Sequence, residues 1–544
     1  MPVPRDSILR AAAARLLLLL GALALFLPGF FSLPPTDRDE SRFAQASRQM
    51  LEDGDYLHIR FQEQARLNKP AGIYWLQAAA ARLAGTGWDN PIWPFRLPSL
   101  LGALAAVVLT ARLGDRLGRP GTGWRAGALL ALTVLLGVEA RLAKTDAVLL
   151  ALVVAAQAAL WAIYRAHREC RPIPALAVQG FWLAQAAALL VKGPIALLAS
   201  LLTVLALALA DRDARLWRAL RPGWGALWFA VLVLPWLWAI TRASEGAFWH
   251  DAVARDLLAK AARGQESHGA PPGTHLLLTP LTLWPAVLLL VPGLAASWRA
   301  RAEPAVRFLL AWALPFWLLF ELIPTKLPHY ILPTVPALCL MAGVLLTGRE
   351  AAAPAWSRWL GRALWAIGAL VLSGLTVWLP RAAGEPSVGF ALAAGAMVTG
   401  AAALWALGRR GPALGLAGLV PAVLVLGLML PRLDALWPSR EVARQLQAQG
   451  ITAPLIAAGY TEPSLVFWTG RGTTLLSDGD AAARRLLREQ DRPVLVDERR
   501  EAAFLAALAG AGAAAEPLAR IAALDLNGGG PLRLTLYRLA GEAR

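Results

Sequence analysis

The sequence predicts a mainly α-helical, polytopic membrane protein that ends in a small α/β domain. Of its 544 residues, 57% are hydrophobic and only 16% are charged, whereas about 25% of the residues of a soluble protein are charged. The apolar residues gather in uncharged runs of about 18 to 22 residues, which is the length of a transmembrane helix. Arginine-rich segments separate alternate runs, as expected of the loops on one membrane face.

The apolar runs predict about 13 membrane spans. The first follows Arg5, Arg10 and Arg15 and lacks a small-residue cleavage site, so we expect a retained helix with a cytoplasmic N-terminus. The arginine-rich loops are then cytoplasmic, and an odd number of spans places the C-terminus beyond the inner membrane of a bacterium. The predicted spans lie at residues 14–33, 92–111, 126–142, 147–164, 175–191, 194–210, 224–240, 274–297, 306–323, 328–347, 363–380, 388–407 and 411–430.

The net charge of +17 invites comparison with nucleic-acid-binding proteins. The basic residues are scattered among loops and form no face interleaved with stacking aromatics, so no nucleic-acid partner is expected. The two cysteines, Cys170 and Cys339, imply no disulfide framework.

Three segments are predicted to lie outside the membrane, at residues 34–91, 241–273 and 432–544. The sequence therefore divides into a membrane domain, residues 1–431, and a periplasmic α/β domain, residues 432–544. In the latter, VARQLQAQG and AAARRLLREQ have helical periodicity, APLIAAGY and PVLVDE have the composition of strands, and LRLTLYRL alternates like an edge strand. No nucleotide-binding fingerprint occurs in it, which favours a packing domain or a platform for a partner.

A short helix is predicted directly after the first span. Phe43, Ala46 and Met50 recur at helical spacing, and we expect this apolar face to lie in the membrane interface and to point towards lipid. Asp37 and Glu40 have the spacing of a side-chain cap and its reciprocal acid at a helix start.

Several charges at the outer ends of the spans do not follow the loop rule. The cations are Lys192, Arg255 and Lys326, with His329 and Tyr330 as further hydrogen-bond donors. Each charge alone is commonly a snorkelling side chain, but ionisable residues at membrane depth usually pair or serve function. Together these groups suit a phosphate held at the membrane surface.

Two carboxylates, Asp39 and Asp146, lie on the same side. Beside a phosphate they suit a general base, a metal ligand or a group that orients the cations. For a hydroxyl acceptor Asp39 would have to act as base, whereas an anionic phosphate acceptor would need Arg42 or a metal to offset the charge of Asp39. The sequence leaves both alternatives open.

Four motifs carry a resemblance to a known family. They are DESRFAQASRQMLEDGDY (39–56), NKPAGIYWL (68–76), VKGP (191–194) and PTKLPHYILP (324–333), and EARLAKTDAVLL and ESHGAPPG (266–273) fall in the family's order. The sequence resembles the polyprenyl-phosphate-dependent glycosyltransferases of the GT-C class, and within it the bacterial lipid A aminoarabinose transferase family.

The resemblance implies a GT-C-type bundle that transfers a sugar from undecaprenyl phosphate to a phosphate of lipid A, with inversion at the sugar. The partners implied are the undecaprenyl-phosphate-linked donor, lipid A or another cell-envelope acceptor, and membrane lipids. Asp39 matches the acid of the family's first-loop helix, which is catalytic or orients the substrate, and Asp146 matches the acid of the second outer loop; the resemblance implies that both are catalytic residues. The positions matched to the lipid phosphate are Lys192, Arg255, Lys326 and Tyr330, and supporting positions are Glu40, Arg42, Lys69 and His329.

One motif departs from the family. Asn68-Lys69-Pro70 stands where the aminoarabinose enzymes usually have Glu-Lys-Pro, which removes a metal ligand or a contact to an amino sugar. The sequence thus identifies no cofactor, leaves a divalent metal open, and does not fix the sugar. Transfer to a protein or polysaccharide hydroxyl is an alternative, and a membrane transporter is a rival from another class, although no internal repeat supports it.

Overall fold

The computed structural model describes residues 5–85, 91–117, 121–258, 269–347, 353–384, 395, 400, 410–525 and 529–540. Up to residue 258, the α-helices are α1 (Arg5–Phe26), α2 (Asp39–Asp53), α3 (Gly72–Leu83), α4 (Trp93–Arg116), α5 (Thr122–Leu132), α6 (Val134–Glu139), α7 (Asp146–Arg168), α8 (Ala175–Lys192), α9 (Ile195–Asp211), α10 (Leu216–Ala219), α11 (Pro222–Leu232), α12 (Leu234–Ala243) and α13 (Ala247–Trp249). A π-helix, His250–Leu258, follows.

The later helices are α14 (Thr274–Thr282), α15 (Val287–Arg299), α16 (Pro304–Leu322), α17 (Val335–Leu346), α18 (Ala355–Ala382), α19 (Arg410–Pro421), α20 (Pro438–Ala448), α21 (Pro463–Thr469), α22 (Gly479–Arg488) and α23 (Glu498–Gly510). A 3₁₀-helix, Pro328–Thr334, precedes α17, and a π-helix, Ala422–Met429, follows α19 and continues into the 3₁₀ turns Leu430–Arg432 and Asp434–Leu436.

The expectation of a mainly helical chain with many apolar spans is confirmed. Among the described residues, 7 helices are long and apolar enough to cross a membrane, or up to 8 with the bent pair formed by α11 and α12. The predicted count of 13 is not established. Some predicted spans are interrupted, since Thr133 adopts an extended conformation between α5 and α6. The predicted span 388–407 lies outside the described residues, apart from residues 395 and 400.

Close helix contacts bring the ends of several helices together at one end of the bundle. A Cβ atom on Gly102 would lie 2.8 Å from the carbonyl oxygen of Ala147, so α4 approaches the first turn of α7 to backbone contact. Likewise, a Cβ atom on Gly72 would lie 2.7 Å from the oxygen of Leu190. Only glycine allows this approach, which places the start of α3 beside the end of α8.

Helix α2 forms where it was predicted, but its apolar face packs against protein. Phe43 and Met50 are 3% and 2% exposed and lie in one apolar cluster with Tyr74 and Trp236. The prediction that they point towards lipid is therefore wrong for this structure. The helical spacing of the apolar residues in α2 predicts an apolar face but does not tell whether lipid or α3 covers it, since both surfaces are apolar.

The C-terminal region contains a five-stranded mixed sheet in the order β4-β3-β5-β7-β6. Its strands are β3 (Ile456–Ala458), β4 (Thr474–Leu476), β5 (Val494–Asp497), β6 (Ala515–Asp525) and β7 (Gly530–Leu539), and a short hairpin near α2 supplies β1 (Arg60–Phe61) and β2 (Gln64–Ala65). The segment LRLTLYRL forms β7 and is not an edge strand as predicted, because β5 and β6 pair with its two sides.

Candidate active site

A polar cavity of about 280 Å³ opens where α2 begins and where the loops before α3 and α7 meet the segment before α17. This volume approaches the lower end of known ligand pockets, roughly 300 Å³. Its lining combines cations, acids and few apolar groups: Thr36, Asp37, Arg38, Asp39, Glu40, Arg42, Arg66, Asn68, Lys69, Leu142, Lys144, Thr325, Leu327 and His329. Four of the motifs noted in the sequence thus meet at one place.

Asp39 is the first residue of α2 and is accessible from this cavity, although protein surrounds it on most sides. Burial alone would raise the pKa of its carboxyl group. The positive charges of Lys144 and Arg66, with smaller contributions from His329 and Lys69, outweigh burial and lower the pKa of Asp39 below its usual value. Asp39 is therefore an ionised carboxylate at neutral pH, held among cations.

Glu40, the next residue, has a structural partner in Arg96. The two side chains form an ion pair with 2.7 Å between Arg96 Nε and Glu40 Oε1, and both are almost fully buried. Arg96 also donates to the carbonyl oxygens of Phe30 (3.0 Å) and Leu33 (2.9 Å). Glu40 accepts from the backbone N–H of Ala143 at 3.0 Å. The pair fixes α2 to α4 and to the loop before α7.

The helix start differs in one respect from the prediction. Arg38 occupies the N-cap position and makes no side-chain cap, while Glu40 accepts from the N–H and hydroxyl of Thr36, at 2.8 Å and 3.0 Å. Asp37 is not the cap; its carboxylate accepts a hydrogen bond from Ser464 of the C-terminal region. A partner 427 residues away cannot be read from local spacing.

A second group of charges centres on Asp146, at the start of α7. Lys192, the last residue of α8, donates to Asp146 Oδ1. Lys144 Nζ lies 3.9 Å from Asp146 Oδ2 and 3.3 Å from Glu139 Oε1. His329 lies between the two acids, with Nε2 3.8 Å from Asp146 and Nδ1 3.7 Å from Glu139. All five side chains are largely buried.

This cluster tests the divalent metal left open by the sequence. Ligand atoms of Glu139, Asp146 and His329 lie within 4.8 Å of one another, and two carboxylates with one imidazole are a suitable donor set. However, the ammonium groups of Lys144 and Lys192 already contact both carboxylates. Two lysines offset two acids, so the group fits a neutral ion-pair network better than a resident cation.

The four residues predicted to hold a lipid phosphate are not gathered in one set. Lys192 and Tyr330 are neighbours, with Lys192 Nζ 5.9 Å from the centre of the Tyr330 ring. Arg255 lies in the π-helix, 74% exposed and 3.6 Å from Asp251. Among the described residues that line the cavity, Arg255 is absent, and its assignment to the lipid phosphate remains a prediction.

Lys326 has local partners, and its assignment to the lipid phosphate also remains a prediction. Its ammonium group donates to the carbonyl oxygens of Phe320 (3.0 Å), Glu321 (2.8 Å) and Ile323 at the end of α16. Burial lowers its pKa, and nearby Glu321 partly offsets this. A lysine four residues beyond a helix C-terminus satisfies its unpaired carbonyls, and that local role competes with phosphate binding.

Several cavity residues were not singled out from the sequence. Lys144 lines the cavity and belongs to EARLAKTDAVLL, but it lies in the loop between α6 and α7, so no helical spacing relates it to Asp146. Glu139 of the same segment ends α6 and contacts Lys144 from outside the described cavity lining. Arg66 lines the cavity and donates to the hydroxyl of Tyr74 at 2.9 Å. All four supporting positions, Glu40, Arg42, Lys69 and His329, line the cavity.

Comparison with known proteins gives a consistent result. The family model of the dolichyl-phosphate-mannose-protein mannosyltransferases matches residues 22–250. An undecaprenyl phosphate-α-4-amino-4-deoxy-L-arabinose arabinosyl transferase of Pseudomonas fluorescens is 27% identical over 490 residues, covering 85% of this chain and 87% of the relative. The corresponding protein of Pseudomonas paraeruginosa is 31% identical over 340 residues, which is 60% of either chain.

Solved structures share the fold. ArnT from Cupriavidus metallidurans in the apo state aligns with a TM-score of 0.73 and 21% identity, over 96% of this chain and 98% of the other. The same protein bound to undecaprenyl phosphate aligns with a TM-score of 0.69 and 20% identity over 98% of both chains. The resemblance to the GT-C glycosyltransferases and to the aminoarabinose transferases, drawn from the motifs, is confirmed.

Proposed function

We propose that this protein, which resembles the GT-C glycosyltransferases, is a glycosyltransferase of the bacterial inner membrane. It transfers a sugar from undecaprenyl phosphate to a phosphate of lipid A. The names of its relatives support 4-amino-4-deoxy-L-arabinose as that sugar. The observation that carries the proposal is the cavity itself: one ionised carboxylate, Asp39, lies among the cations Arg66, Lys69 and Lys144. This is a charge arrangement for phosphate chemistry at the end of a membrane bundle.

The donor's leaving group is a lipid-linked phosphate, so negative charge builds on its oxygen as the bond to the sugar breaks. Cations placed beforehand around that oxygen stabilise the transition state, each contact being worth about 3 kcal/mol. Three cavity residues with permanent positive charge lower the pKa of Asp39: Lys144, Arg66 and Lys69. We assign the donor phosphate to these three cations, and we assign to Lys192 the role of holding Asp146 in place.

The low pKa of Asp39 bears on the acceptor. A general base works best when its pKa lies near the operating pH, and the cations around Asp39 move its pKa the other way. A phosphate acceptor is already anionic and has no proton to remove. Asp39 then orients the surrounding cations and the sugar, which agrees with lipid A phosphate as the acceptor and with inversion by direct displacement.

The same proposal includes the orientation of the chain. The cavity lies at the ends of α7 and α16 that are opposite to the arginine-rich loops, and those loops are cytoplasmic by the positive-inside rule. The reaction thus takes place on the periplasmic side, with the N-terminus in the cytoplasm. Residues 1–431 form the membrane domain, and residues 432–544 form a periplasmic α/β domain.

A second candidate is transfer to a hydroxyl of a protein or polysaccharide. Two observations favour it: the matching family model is that of protein mannosyltransferases, and Asn68 replaces the acid usual in the aminoarabinose enzymes. Asn68 lines the cavity and its buried Oδ1 atom has no hydrogen-bond partner among the described residues. The neutral amide of Asn68 is better suited to bind a sugar hydroxyl than to bind the ammonium group of an amino sugar.

The test uses the purified full-length protein in lipid nanodiscs. Undecaprenyl phosphate carrying either aminoarabinose or a neutral hexose is supplied as donor, with lipid A or a hydroxyl-rich peptide as acceptor, and products are identified by mass spectrometry. Aminoarabinose on lipid A phosphate supports the proposal. Transfer of a hexose to the peptide alone would replace it with the second candidate, and no transfer with any pair would reject both.

A further inference from the structure

The C-terminal region contacts the helix that carries Asp39. Arg48 of α2 donates to the carbonyl oxygen of Phe467 at 2.8 Å, and its guanidinium lies 3.9 Å from the centre of the Phe467 ring. Arg471 pairs with Asp53 at the end of α2, at 2.7 Å. Because α21 thus packs along α2, a movement of the C-terminal region would move the first residue of α2 as well.

The contact nearest to the cavity is a chain of buried hydroxyl groups. Tyr460 and Ser439 lie 2.9 Å apart, Ser439 and Ser464 lie 2.6 Å apart, and Ser464 donates to Asp37. Ser439 and Ser464 are each 3% exposed and Tyr460 is 7% exposed. An ionised carboxylate is acceptor-only, so when Asp37 is ionised the chain has one direction, with each hydroxyl donating towards the acid.

Asp37 stands two residues before Asp39 and lines the same cavity. Its surroundings are unusual, because two further acids, Glu462 and Asp525, face it from the C-terminal region, while Arg38 is the cation that favours its charge. Burial is the largest influence and raises the pKa of Asp37 to about 7, although the Ser464 hydrogen bond acts in the opposite direction. The hydrogen bond from Ser464 and the charge of Arg38 both favour the ionised form, and the hydrogen bond is the larger of the two effects.

We propose that Asp37 is a positioning residue for Asp39, held by Ser464, and that the C-terminal region thereby completes the transferase site. The inference deepens the proposed function and rests on it for the activity measurements. The ionised Asp37 takes the hydrogen bond from Ser464 and fixes the turn before α2, which aims the carboxylate of Asp39 into the cavity. The C-terminal region, which carries no recognisable motif of its own, then has a defined task.

The experiment compares three variants of the full-length protein in nanodiscs: Ser464→Ala, Asp37→Asn and the control Ser477→Ala. Ser477 is an exposed serine of the same region that bonds to its neighbour Asp478. Transfer is measured between about pH 5.5 and 8.5, where a group with a pKa near neutrality titrates. Hydrogen–deuterium exchange of the first turn of α2 is measured in parallel as a readout independent of activity.

We expect wild-type activity to rise with pH through an inflection near 7. In Ser464→Ala, the loss of a hydrogen bond to a charged group lowers kcat roughly tenfold and moves the inflection to higher pH, while the first turn of α2 exchanges faster. In Asp37→Asn the inflection disappears. Ser477→Ala behaves as wild type.

Equal pH profiles and equal exchange in Ser464→Ala and Ser477→Ala would overturn the inference while leaving the proposed function intact. If wild type transfers no sugar, the proposed function fails, and the exchange data still decide whether Ser464 holds the start of α2. A Ser464→Thr variant, which retains the hydroxyl, should restore the wild-type profile. Its failure to do so, with unchanged unfolding temperature, would also count against the inference.

Discussion

Lys192 and Asp146 form an ion pair that joins the end of α8 to the start of α7. Their side chains are 14% and 4% exposed, and His329 faces the same carboxylate. A buried charge without a partner is costly, so each residue depends on the other for its place. The cavity cation Lys144 lies 3.9 Å from Asp146, and the pair connects this predicted catalytic acid to the bundle.

Breaking this pair should cost stability. Lys192→Met removes the donor to Asp146 Oδ1 and leaves Lys144 and His329 near the carboxylate. Removing one partner of a buried pair destabilises a protein by about 3–5 kcal/mol. The double variant Lys192→Met/Asp146→Asn should regain much of that stability and remain inactive. Thermal unfolding in detergent, measured with sugar transfer, checks both expectations. An active double variant would show that the pair is only structural.

Arg96 should matter for folding and not for substrate binding. Its side chain is buried against Glu40 and lies outside the described cavity lining. Arg96→Met should lower the free energy of unfolding by about 3–5 kcal/mol, and Arg96→Lys should recover only part of it, because lysine lacks the planar fork that contacts several acceptors. Folded Arg96→Lys protein should have the wild-type KM for the donor. A large rise in KM would place Arg96 in the site.

Lys326 should behave as a helix-capping residue. Lys326→Met leaves three carbonyl oxygens at the end of α16 without their donor, which should cost about 1–3 kcal/mol of stability. Donor affinity should change far less than in Lys69→Met, where a cavity cation is lost. Both quantities can be measured by thermal unfolding and by titration with undecaprenyl phosphate. A stable Lys326→Met protein with strongly weakened lipid binding would contradict the capping role and support the assignment of Lys326 to the lipid phosphate.

The pH dependence of kcat should reveal the effect of the cations around Asp39. Their charge lowers the pKa of Asp39, so in wild type Asp39 loses its proton below its usual pKa of about 3.9 and is fully ionised at neutral pH. Lys69→Met removes one of these cations, and the pKa of Asp39 must then rise. The kcat profile should then contain, below the inflection near 7 that belongs to Asp37, a second and more acidic inflection that belongs to Asp39, and Lys69→Met should move this acidic limb to higher pH. An unmoved limb would mean that Asp39 ionisation does not limit the reaction.

Removal of divalent metal should leave activity unchanged. The reason is that Lys144 and Lys192 already contact the carboxylates of Glu139 and Asp146. Prolonged dialysis against a chelator, followed by assay and metal analysis, tests this. Loss of activity that added Mg²⁺, Mn²⁺ or Zn²⁺ restores would contradict the ion-pair account of the cluster.

The sequence predicted where the charged residues of the site lie along the chain better than it predicted which groups they contact. Asp39, Asp146, Lys192 and His329 were identified because charges at the ends of apolar runs are conspicuous against their surroundings. Arg255 and Lys326 were conspicuous for the same reason, but hydropathy does not tell whether a charge faces a cavity, a neighbouring carbonyl or solvent.

Other features depend on contacts between distant segments. Arg96 lies within an apolar run, and its pairing with Glu40 spans 56 residues. The prediction of a helix at α2 is confirmed. The prediction that its apolar face points towards lipid is wrong, because residues of α3 and α12 cover that face. The contact between Asp37 and Ser464 likewise requires the C-terminal region to be docked on α2.

Mass spectrometry of lipid A tests the central claim most directly. Cells with the gene deleted, restored, and restored as Asp39→Asn are compared, and Asp39→Asn protein levels in the membrane are matched to wild type. The account predicts that a pentosamine-sized mass disappears on deletion, returns with the wild-type gene and does not return with Asp39→Asn. Unchanged lipid A in all three strains would contradict lipid A as the acceptor, and full restoration by Asp39→Asn would contradict the role of Asp39.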